Sequence, residues 1–272
     1  PRTQNNIAVL KGDGYHFIEP GDGYLACGYV AKGRMEEPLQ IVSVIHQFFD
    51  NKEAKSKSSF SGKKALVTAG PTVEVIDPVR YVSNRSSGKM GFAIAEALRD
   101  KGADVILITG PTQLSDPSGM QVIHVQSAED MFNAVKERYA EQDIVFKAAA
   151  VSDYTPTDVL QHKMKKQEGE LSVTFKRTED ILKYLGDNKR HQYLVGFAAE
   201  TQNIEAYAQD KLARKNADVI ISNNVGDQSI GFSSDDNELT MHFKNKDMVN
   251  IKKGKKVELA KQILEELETR WQ

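Results

Sequence analysis

Residues 65–99 read ALVTAGPTVEVIDPVRYVSNRSSGKMGFAIAEALR, and this stretch sets the architecture that the rest of the chain follows. It opens with a short apolar run at 65–69, which is typical of a buried strand. It closes with apolar residues at positions 90, 94, 97 and 98, the spacing of an amphipathic helix. Between them lies a long polar excursion. Because a plain strand-to-helix turn takes about two to six residues, an excursion of this length usually serves a ligand.

The excursion carries basic, amide and hydroxyl side chains just before the predicted helix, namely Arg80, Asn84, Arg85, Ser86, Ser87, Gly88 and Lys89. The first backbone N–H groups of a helix have no partner within it and lie at the positive end of its dipole, so an anion is the expected guest. Asn and Ser are also ordinary helix caps, which is the alternative interpretation. The P-loop pattern fails because Met90 replaces the required hydroxyl residue, and GxGxxG is absent.

The remainder of the chain alternates short Val/Ile/Ala-rich runs with helical patterns. This alternation predicts an α/β fold, a doubly wound Rossmann-like parallel sheet covered by helices on both faces. Such sheets bind ligands beyond the carboxyl ends of the strands, near the point where the strand order reverses. The predicted strands are 64–69, 104–109, 143–149, 193–198 and 218–222, and the predicted helices are 90–99, 127–142, 204–216 and 257–271.

Two segments break this alternation. Residues 170–176, ELSVTFK, alternate like an antiparallel strand, and residues 238–243 and 248–252 read as a late hairpin. We expect them to form a small added antiparallel sheet or a dimerisation arm.

Composition restricts the class of protein. With a formal net charge of -2 and both signs of charge well represented, nothing favours binding to nucleic acid or to an anionic membrane. No apolar run approaches the roughly 20 residues of a membrane span, and the amino terminus shows no signal-peptide pattern. The single cysteine, Cys27, cannot form an internal disulfide, which fits a reducing compartment. We expect a cytoplasmic protein.

Domain boundaries follow from local composition. Residues 1–50 hold many glycines and few periodic apolar positions, apart from a helix-like piece at 39–49. Residues 51–62, NKEAKSKSSFSG, are charged and serine-rich, so they are interpreted as a linker. The regular pattern then occupies 63–272.

Each polar loop falls after a predicted strand. AAAVSDYTP at 148–156 has small residues that admit a ligand, and Asp153 suits a ribose hydroxyl or a hydrated Mg²⁺. A basic segment, HKMKK at 162–166, and the predicted helix with Lys211 and Lys215 add cations. No Ser/His/Asp arrangement and no paired metal histidines emerge. These residues indicate an enzyme that stabilises charge on a phosphoryl or acyl transition state.

At this point six motifs, in this order, closely resemble bacterial phosphopantothenoylcysteine synthetase. The resemblance covers about residue 63 to the C-terminus. The motifs are the strand end at 65–72, IDPVRYVSNRSSGKMG at 76–91, AAAVSDY at 148–154, KMKK at 163–166, VGFAAET at 195–201 and GFSSDDN at 231–237. The resemblance implies a ligase of coenzyme A biosynthesis, which uses CTP and Mg²⁺ to convert 4′-phosphopantothenate into an acyl-cytidylate. The amine of cysteine then displaces CMP. It also implies a homodimer, with the arm at 170–176 pairing across the two-fold axis.

The same resemblance assigns roles to matching positions. Asn84 would serve turnover of the acyl-cytidylate, Lys163 its formation, and Arg80 a neighbouring functional role. Ala149 would lie at the substrate and Asp153 at the nucleotide or its metal. Further nucleotide contacts would come from Ser86, Gly88, Phe197, Lys211 and Lys215.

The first 50 residues resemble the end of the flavin-dependent decarboxylase to which this synthetase is usually fused. LACGYVAKGRMEEP at 25–38 matches that enzyme's substrate clamp, and Cys27 matches its reactive cysteine. The flavin motif and the catalytic histidine expected upstream are missing from this sequence. We therefore expect a decarboxylase remnant that binds no FMN and carries out no decarboxylation.

Two other functions share parts of this pattern. A NAD(P)-dependent reductase uses the same strand, glycine-bearing loop and helix, although the missing GxGxxG argues against it. A non-catalytic nucleotide-binding domain would bind CTP without releasing pyrophosphate.

Overall fold

The structure, a computed structural model, describes residues 2–12, 15–24, 30–165, 171–200, 204–224 and 236–271. The chain divides into two compact units, Pro1–Lys57 and Ser58–Gln272. Within the described residues, no helix combines the length and the apolarity needed to cross a membrane.

The first unit contains two helices and a two-stranded antiparallel ladder. Helix α1 (Arg2–Gly12) precedes strands β1 (Gly21–Tyr24) and β2 (Val30–Arg34), and helix α2 (Pro38–Lys57) follows them. Helix α2 therefore continues through the first seven residues of the stretch interpreted as a linker. Residues 51–57, NKEAKSK, contain neither Gly nor Pro, so nothing in them ends a helix. The assignment of residues 1–50 to a decarboxylase remnant stays a prediction.

The second unit is built on an eight-stranded mixed sheet. Six neighbouring strands are mutually parallel, and a two-stranded antiparallel hairpin extends one edge of the sheet. The parallel strands are β3 (Lys64–Ala69), β6 (Asp104–Thr109), β7 (Gln121–His124), β8 (Ile144–Lys147), β11 (Tyr193–Glu200) and β12 (Val219–Asn224), and the edge strands are β13 (Asp236–Phe243) and β14 (Met248–Lys255).

Strand order explains where a ligand is expected. Across the sheet the order is β14-β13-β12-β11-β8-β3-β6-β7. The chain begins the sheet at β3, moves outward through β6 and β7, and returns to β8 on the other side of β3. The order therefore reverses between β3 and β8, and the predicted doubly wound fold is confirmed. The late hairpin was placed wrongly in a separate small sheet, because β13 pairs with β12 and so joins the main sheet.

Helices cover both faces of the sheet. They are α3 (Lys89–Asp100), α4 (Ala128–Arg138) followed by a short 3-10 turn (Tyr139–Glu141), α5 (Ile181–Asp187), α6 (Ile204–Lys215) and α7 (Lys256–Glu268).

Alternate side chains of β3 enter two separate hydrophobic clusters. Val67 packs in one cluster with residues of α3 and α7, whereas Leu66 packs in the other with residues of α4, α5 and α6. A parallel strand buried on both faces in this way has no polar side to expose, which explains its continuous apolar run.

Two short antiparallel ladders stand outside the main sheet. Strands β4 (Val73–Val75) and β5 (Tyr81–Ser83) form a hairpin inside the excursion between β3 and α3. Strands β9 (Tyr154–Pro156) and β10 (Phe175–Arg177) pair with each other. The predicted strand at 170–176 was therefore placed too early, because β9 offers a partner only for residues 175–177. Residue 170 lies outside the described residues.

Candidate functional site

The loops that follow β3 and β8 run side by side at the point of strand reversal. The Ala150 N–H donates to the Gly70 carbonyl at 2.9 Å, and Pro71 and Ala150 form an isolated parallel bridge. Gly70 has φ +74°, a left-handed conformation that glycine tolerates best. The two loops are therefore joined by backbone hydrogen bonds beyond the ends of their strands.

Asn84 adds a side-chain link between the same two loops. Its Nδ2 donates to the carbonyl oxygens of Ala150 at 3.1 Å and Val151 at 3.2 Å. The amide thus holds the two loops together while Asn84 lines a cavity between them.

The start of helix α3 lies unusually close to the end of β3. Gly91, in the first turn, approaches so near that a Cβ at this position would lie 2.6 Å from the Cβ of Ala69. Gly88 precedes the helix with φ +78°, and a Cβ there would lie 2.8 Å from Cγ2 of Thr112. Gly88 has no side chain and makes no side-chain cap hydrogen bond to α3, so the positive end of the helix dipole faces the loop before it, where an anion is favoured.

A cavity of about 560 Å³ lies at this point and is named here the central cavity. Its walls come from residues 84–91, from the end of β8 through Val151 and Asp153, and from Phe197, Ala198, Lys211, Asn223, Asn237 and Lys256. Among these lining residues, Asp153 carries the carboxylate, and the basic residues are Arg85, Lys89, Lys147, Lys211 and Lys256. This balance favours an anionic ligand.

A second cavity of about 420 Å³, the side cavity, adjoins the first. The two share Lys147, Val151, Asp153, Phe197 and Lys211 in their linings. The side cavity adds Tyr154, residues 177–182 and Lys215. Two binding regions therefore meet along one common wall.

Ion pairing organises the side cavity. Lys215 Nζ donates to the carboxylate of Asp180, which also caps helix α5 by accepting from the Lys183 N–H at 2.9 Å. Burial acts to raise the pKa of Asp180, yet the hydrogen bonds from Lys215 and Lys183 outweigh it and hold this pKa below its usual value. Lys211 Nζ donates to the Phe197 carbonyl at 3.1 Å.

Lys147 is the last residue of β8 and lies on the wall that the two cavities share. Burial and the nearby positive charge of Lys211 lower the pKa of its amine to about 8. Nζ donates to the Ala149 carbonyl at 3.0 Å.

Two predicted site residues lie outside both cavities. Lys163 is exposed, and Arg80 donates through Nη2 to the Met164 carbonyl at 2.7 Å. The buried Asp77 accepts from the Met164 N–H at 3.1 Å and lies 3.5 Å from Arg80 Nε. Burial acts to raise the pKa of Asp77, but backbone donors, Met164 among them, and the charge of Arg80 lower it. Arg80 and Asp77 therefore anchor the segment that carries Lys163.

The structure thus brings most of the predicted site residues together. The central cavity collects Asn84, Ser86, Gly88, Ala149, Asp153, Phe197 and Lys211, and Lys215 lies in the side cavity. The roles assigned to these residues stay predictions, and Cys27 falls outside the described residues. Within the described residues, no group of three or more His, Cys, Asp or Glu side chains is placed to hold a metal ion.

Sequence reasoning missed several residues of the site. Lys147 had a visible signal, since it is a lone charged residue at the end of an apolar strand run, IVFK. Asp77, Asp180 and Lys256 had none, because carboxylates in turns and lysines at helix starts are common on any surface.

Residues 60–270 match the family model described as the DNA/pantothenate metabolism flavoprotein C-terminal domain.

The chain belongs to this family.

Similar proteins include the Coenzyme A biosynthesis bifunctional proteins CoaBC of Bacillus subtilis (strain 168) and of Haemophilus influenzae. The chain described here is 50% identical to the Bacillus subtilis protein over 98% of the chain's length. It is 43% identical to the Haemophilus influenzae protein over 99% of the chain's length. A solved structure described as the C-terminal domain of the CoaBC protein matches 77% of the chain and 96% of its own length, with a TM-score of 0.67 and 44% identity. The chain spans 65% and 66% of the length of the two relatives.

Proposed function

We propose that this chain is a CTP-dependent phosphopantothenate–cysteine ligase of coenzyme A biosynthesis. The observation that carries the proposal is the central cavity, where a cation-rich lining and the uncapped start of α3 meet at the strand reversal. The similar proteins are named as coenzyme A biosynthesis proteins, which supports the assignment to that pathway. The six sequence motifs support the assignment of the ligase reaction.

The reaction has two steps. A carboxylate oxygen of 4′-phosphopantothenate attacks the α-phosphorus of CTP, and pyrophosphate leaves with the bonding electron pair. The cysteine amine then attacks the acyl carbon, CMP leaves, and the nitrogen loses a proton to give the amide. The first step concentrates negative charge on phosphate oxygens, which lysine ammonium groups and helix N–H groups stabilise.

The two cavities fit two substrates that must meet. We assign the side cavity, with Asp153 and Lys215, to the nucleoside, and the phosphates to the start of α3 near Ser86 and Gly88. Asn84 and Ala149 then face the phosphopantothenoyl group. The common wall brings the carboxylate and the α-phosphate together, so much of the rate enhancement would come from positioning.

Mg²⁺ would accompany the nucleotide. Magnesium at nucleotide sites is usually held by one or two carboxylates together with substrate phosphates, so an all-protein ligand set is not required. Asp153 is exposed and lines both cavities, which suits this role. When bound, the ion would neutralise charge on the leaving pyrophosphate.

We also propose a homodimer formed through the arm of β9 and β10. Apolar side chains are exposed on this arm and beside it, including Tyr154, Leu171 and Phe175, which supports a second copy of the chain as its partner. A monomer mass that does not change with concentration in light scattering would refute this assembly.

The direct test of function measures pyrophosphate release from 4′-phosphopantothenate. CTP and ATP are compared, each with and without cysteine. We expect release with CTP alone and, once cysteine is added, a product with the mass of phosphopantothenoylcysteine. Pyrophosphate without the amide product would limit the activity to the first step.

The same preparation distinguishes the alternatives. Binding of NADPH without binding of CTP would favour a reductase. Binding of CTP with no pyrophosphate release in any of the four mixtures would favour a non-catalytic nucleotide-binding domain.

A further inference from the structure

Lys147 occupies a position that the proposed roles of the other residues leave unexplained. It follows three fully or almost fully buried residues of β8, in a strand that lies between β3 and β11 at the centre of the sheet. A lysine at such a position must be desolvated, which costs free energy unless a partner compensates. Its side chain lies on the wall shared by both cavities.

The hydrogen bonds of the Lys147 amine leave N–H donors for a ligand. An ammonium group has three N–H donors, and one of them is used by the Ala149 carbonyl at 3.0 Å. Within the described part of the chain, no carboxylate forms an ion pair with Lys147, and the nearby Asp180 is already paired with Lys215. A half-buried cation on a cavity wall, whose amine contacts one neutral carbonyl, can still donate to an anion.

The charged groups around Lys147 come from three elements. Lys211 and Lys215 of α6 repel its charge, and Asp180 at the start of α5 and Asp153 after β8 attract it. Burial outweighs both influences, so the pKa of the amine falls to about 8. An arriving phosphate would favour the charged form, and lysine would bind it as a point charge.

Covalent connectivity identifies which phosphate lies at the wall. In the proposed reaction the α-phosphate is bonded to the nucleoside on one side and becomes bonded to the acyl group on the other. If the nucleoside occupies the side cavity and the acyl group the central cavity, the α-phosphate must lie where the cavities join. Lys147 is at that junction.

We propose that Lys147 binds the α-phosphate of the nucleotide at the junction of the two cavities and retains it in the acyl-cytidylate. This inference rests on the proposed function. It adds a residue of this chain to the substrate contacts that the motifs assign.

The test is calorimetric titration with CTP and Mg²⁺ at pH 7 and pH 9, without phosphopantothenate, so that no turnover occurs. A group with a pKa of about 8 is roughly nine-tenths protonated at pH 7 and one-tenth protonated at pH 9. If binding depends on its charge, wild-type affinity falls about tenfold over this range. Lys147→Met is expected to bind at least tenfold more weakly than wild type at pH 7 and to lose most of the pH dependence.

Two further variants make the result specific. Lys147→Arg keeps its charge at both pH values, so it should bind CTP with little change between pH 7 and pH 9. Lys261→Met removes an exposed charge on α7 that pairs with Glu258, and it should titrate like wild type. If Lys147→Met does not fold, the pH profile of Lys147→Arg still decides the question, because an unchanged tenfold fall would overturn the proposal.

The outcomes separate this proposal from the proposed ligase activity. Pyrophosphate release by wild type, with CTP binding by Lys147→Met equal to wild type at both pH values, overturns the role of Lys147 and leaves the ligase standing. Charge-dependent CTP binding without pyrophosphate release supports Lys147 as a nucleotide contact, refutes the ligase, and overturns the part of the proposal that concerns the acyl-cytidylate. A wild-type protein that does not bind CTP at pH 7 overturns both.

Discussion

The close approach of α3 to β3 gives a quantitative prediction. Gly91→Ala would place a methyl group 2.6 Å from the Cβ of Ala69 and 3.0 Å from the carbonyl oxygen of Thr68. Carbon atoms in contact normally lie about 3.5–4.0 Å apart, so the first turn of α3 must move by about 1 Å. Overpacking of this kind typically costs about 1–3 kcal/mol.

A second effect opposes this cost. Replacing glycine with alanine inside a helix stabilises it by roughly 0.5–1 kcal/mol, because the unfolded chain loses less entropy on folding. The difference between these two ranges is roughly 0–2.5 kcal/mol, so we expect Gly91→Ala to lower the free energy of unfolding by about 1 kcal/mol, measured by urea denaturation. The matched control is Gly254→Ala in β14, where the nearest atom to the new Cβ lies at 3.7 Å and little change is expected.

The same substitution also tests the site. If the first N–H groups of α3 bind phosphate, moving them by about 1 Å lengthens those hydrogen bonds, which weaken steeply with poorer geometry. CTP affinity measured by calorimetry, well below the unfolding temperature, should fall for Gly91→Ala and remain unchanged for Gly254→Ala. Lower stability with unchanged CTP affinity would refute the phosphate site at α3, and a rise in stability of roughly 0.5–1 kcal/mol, the gain of an unhindered change from glycine to alanine, would refute the packing argument.

Three further predictions use other parts of the chain. Asn84→Asp should release pyrophosphate while blocking amide formation, whereas Lys163→Gln should suppress the first step, and equal loss of both steps in each variant would contradict these roles. Asp77→Asn weakens a buried acceptor, so amide hydrogen exchange should accelerate in the segment that carries Lys163; unchanged protection would count against the anchor. Hydrogen bonds from the backbone and side chain of Ser127 lower the pKa of Asp130. The stability lost in Asp130→Ala should therefore be constant from pH 5 to 7 and shrink as the pH falls below about 4, where the carboxylate begins to protonate in the unfolded chain but not yet in the folded one; a difference that persists at low pH would refute this linkage.

The parallel sheet could be predicted because most of its strands, such as β3 and β8, are buried on both faces and therefore read as apolar runs. Strand β7 could not, because its four residues, QVIH, are only partly buried and too few to show a pattern. The hairpin of β13 and β14 was recognised locally, but its attachment to β12 depends on a long-range pairing that local periodicity does not encode.

The candidate site could likewise be predicted only in part. Loops after strand ends could be located because the ligand rule depends on topology alone. Not every side chain that lines a cavity could be predicted, because the direction in which a side chain points depends on packing between segments that are distant in the sequence. Lys147 lines the site from within a strand, and Asp180 acts through an ion pair with Lys215, 35 residues further along the chain.

Arg80 shows why a motif residue need not lie in the cavity its motif serves. The Arg80 guanidinium donates to the Met164 carbonyl, and the Asp77 carboxylate accepts from the Met164 N–H. Both backbone polar groups of Met164 are therefore hydrogen-bonded to the excursion. The sequence around position 164 does not reveal this contact, because most residues offer the same backbone groups; the side chain adds a bond from Arg80 Nη1 to Met164 Sδ at 3.8 Å. Lys163 is therefore positioned through its neighbour. On this geometry, Arg80 and Asp77 attach the basic segment at 163–165 to the excursion that precedes α3.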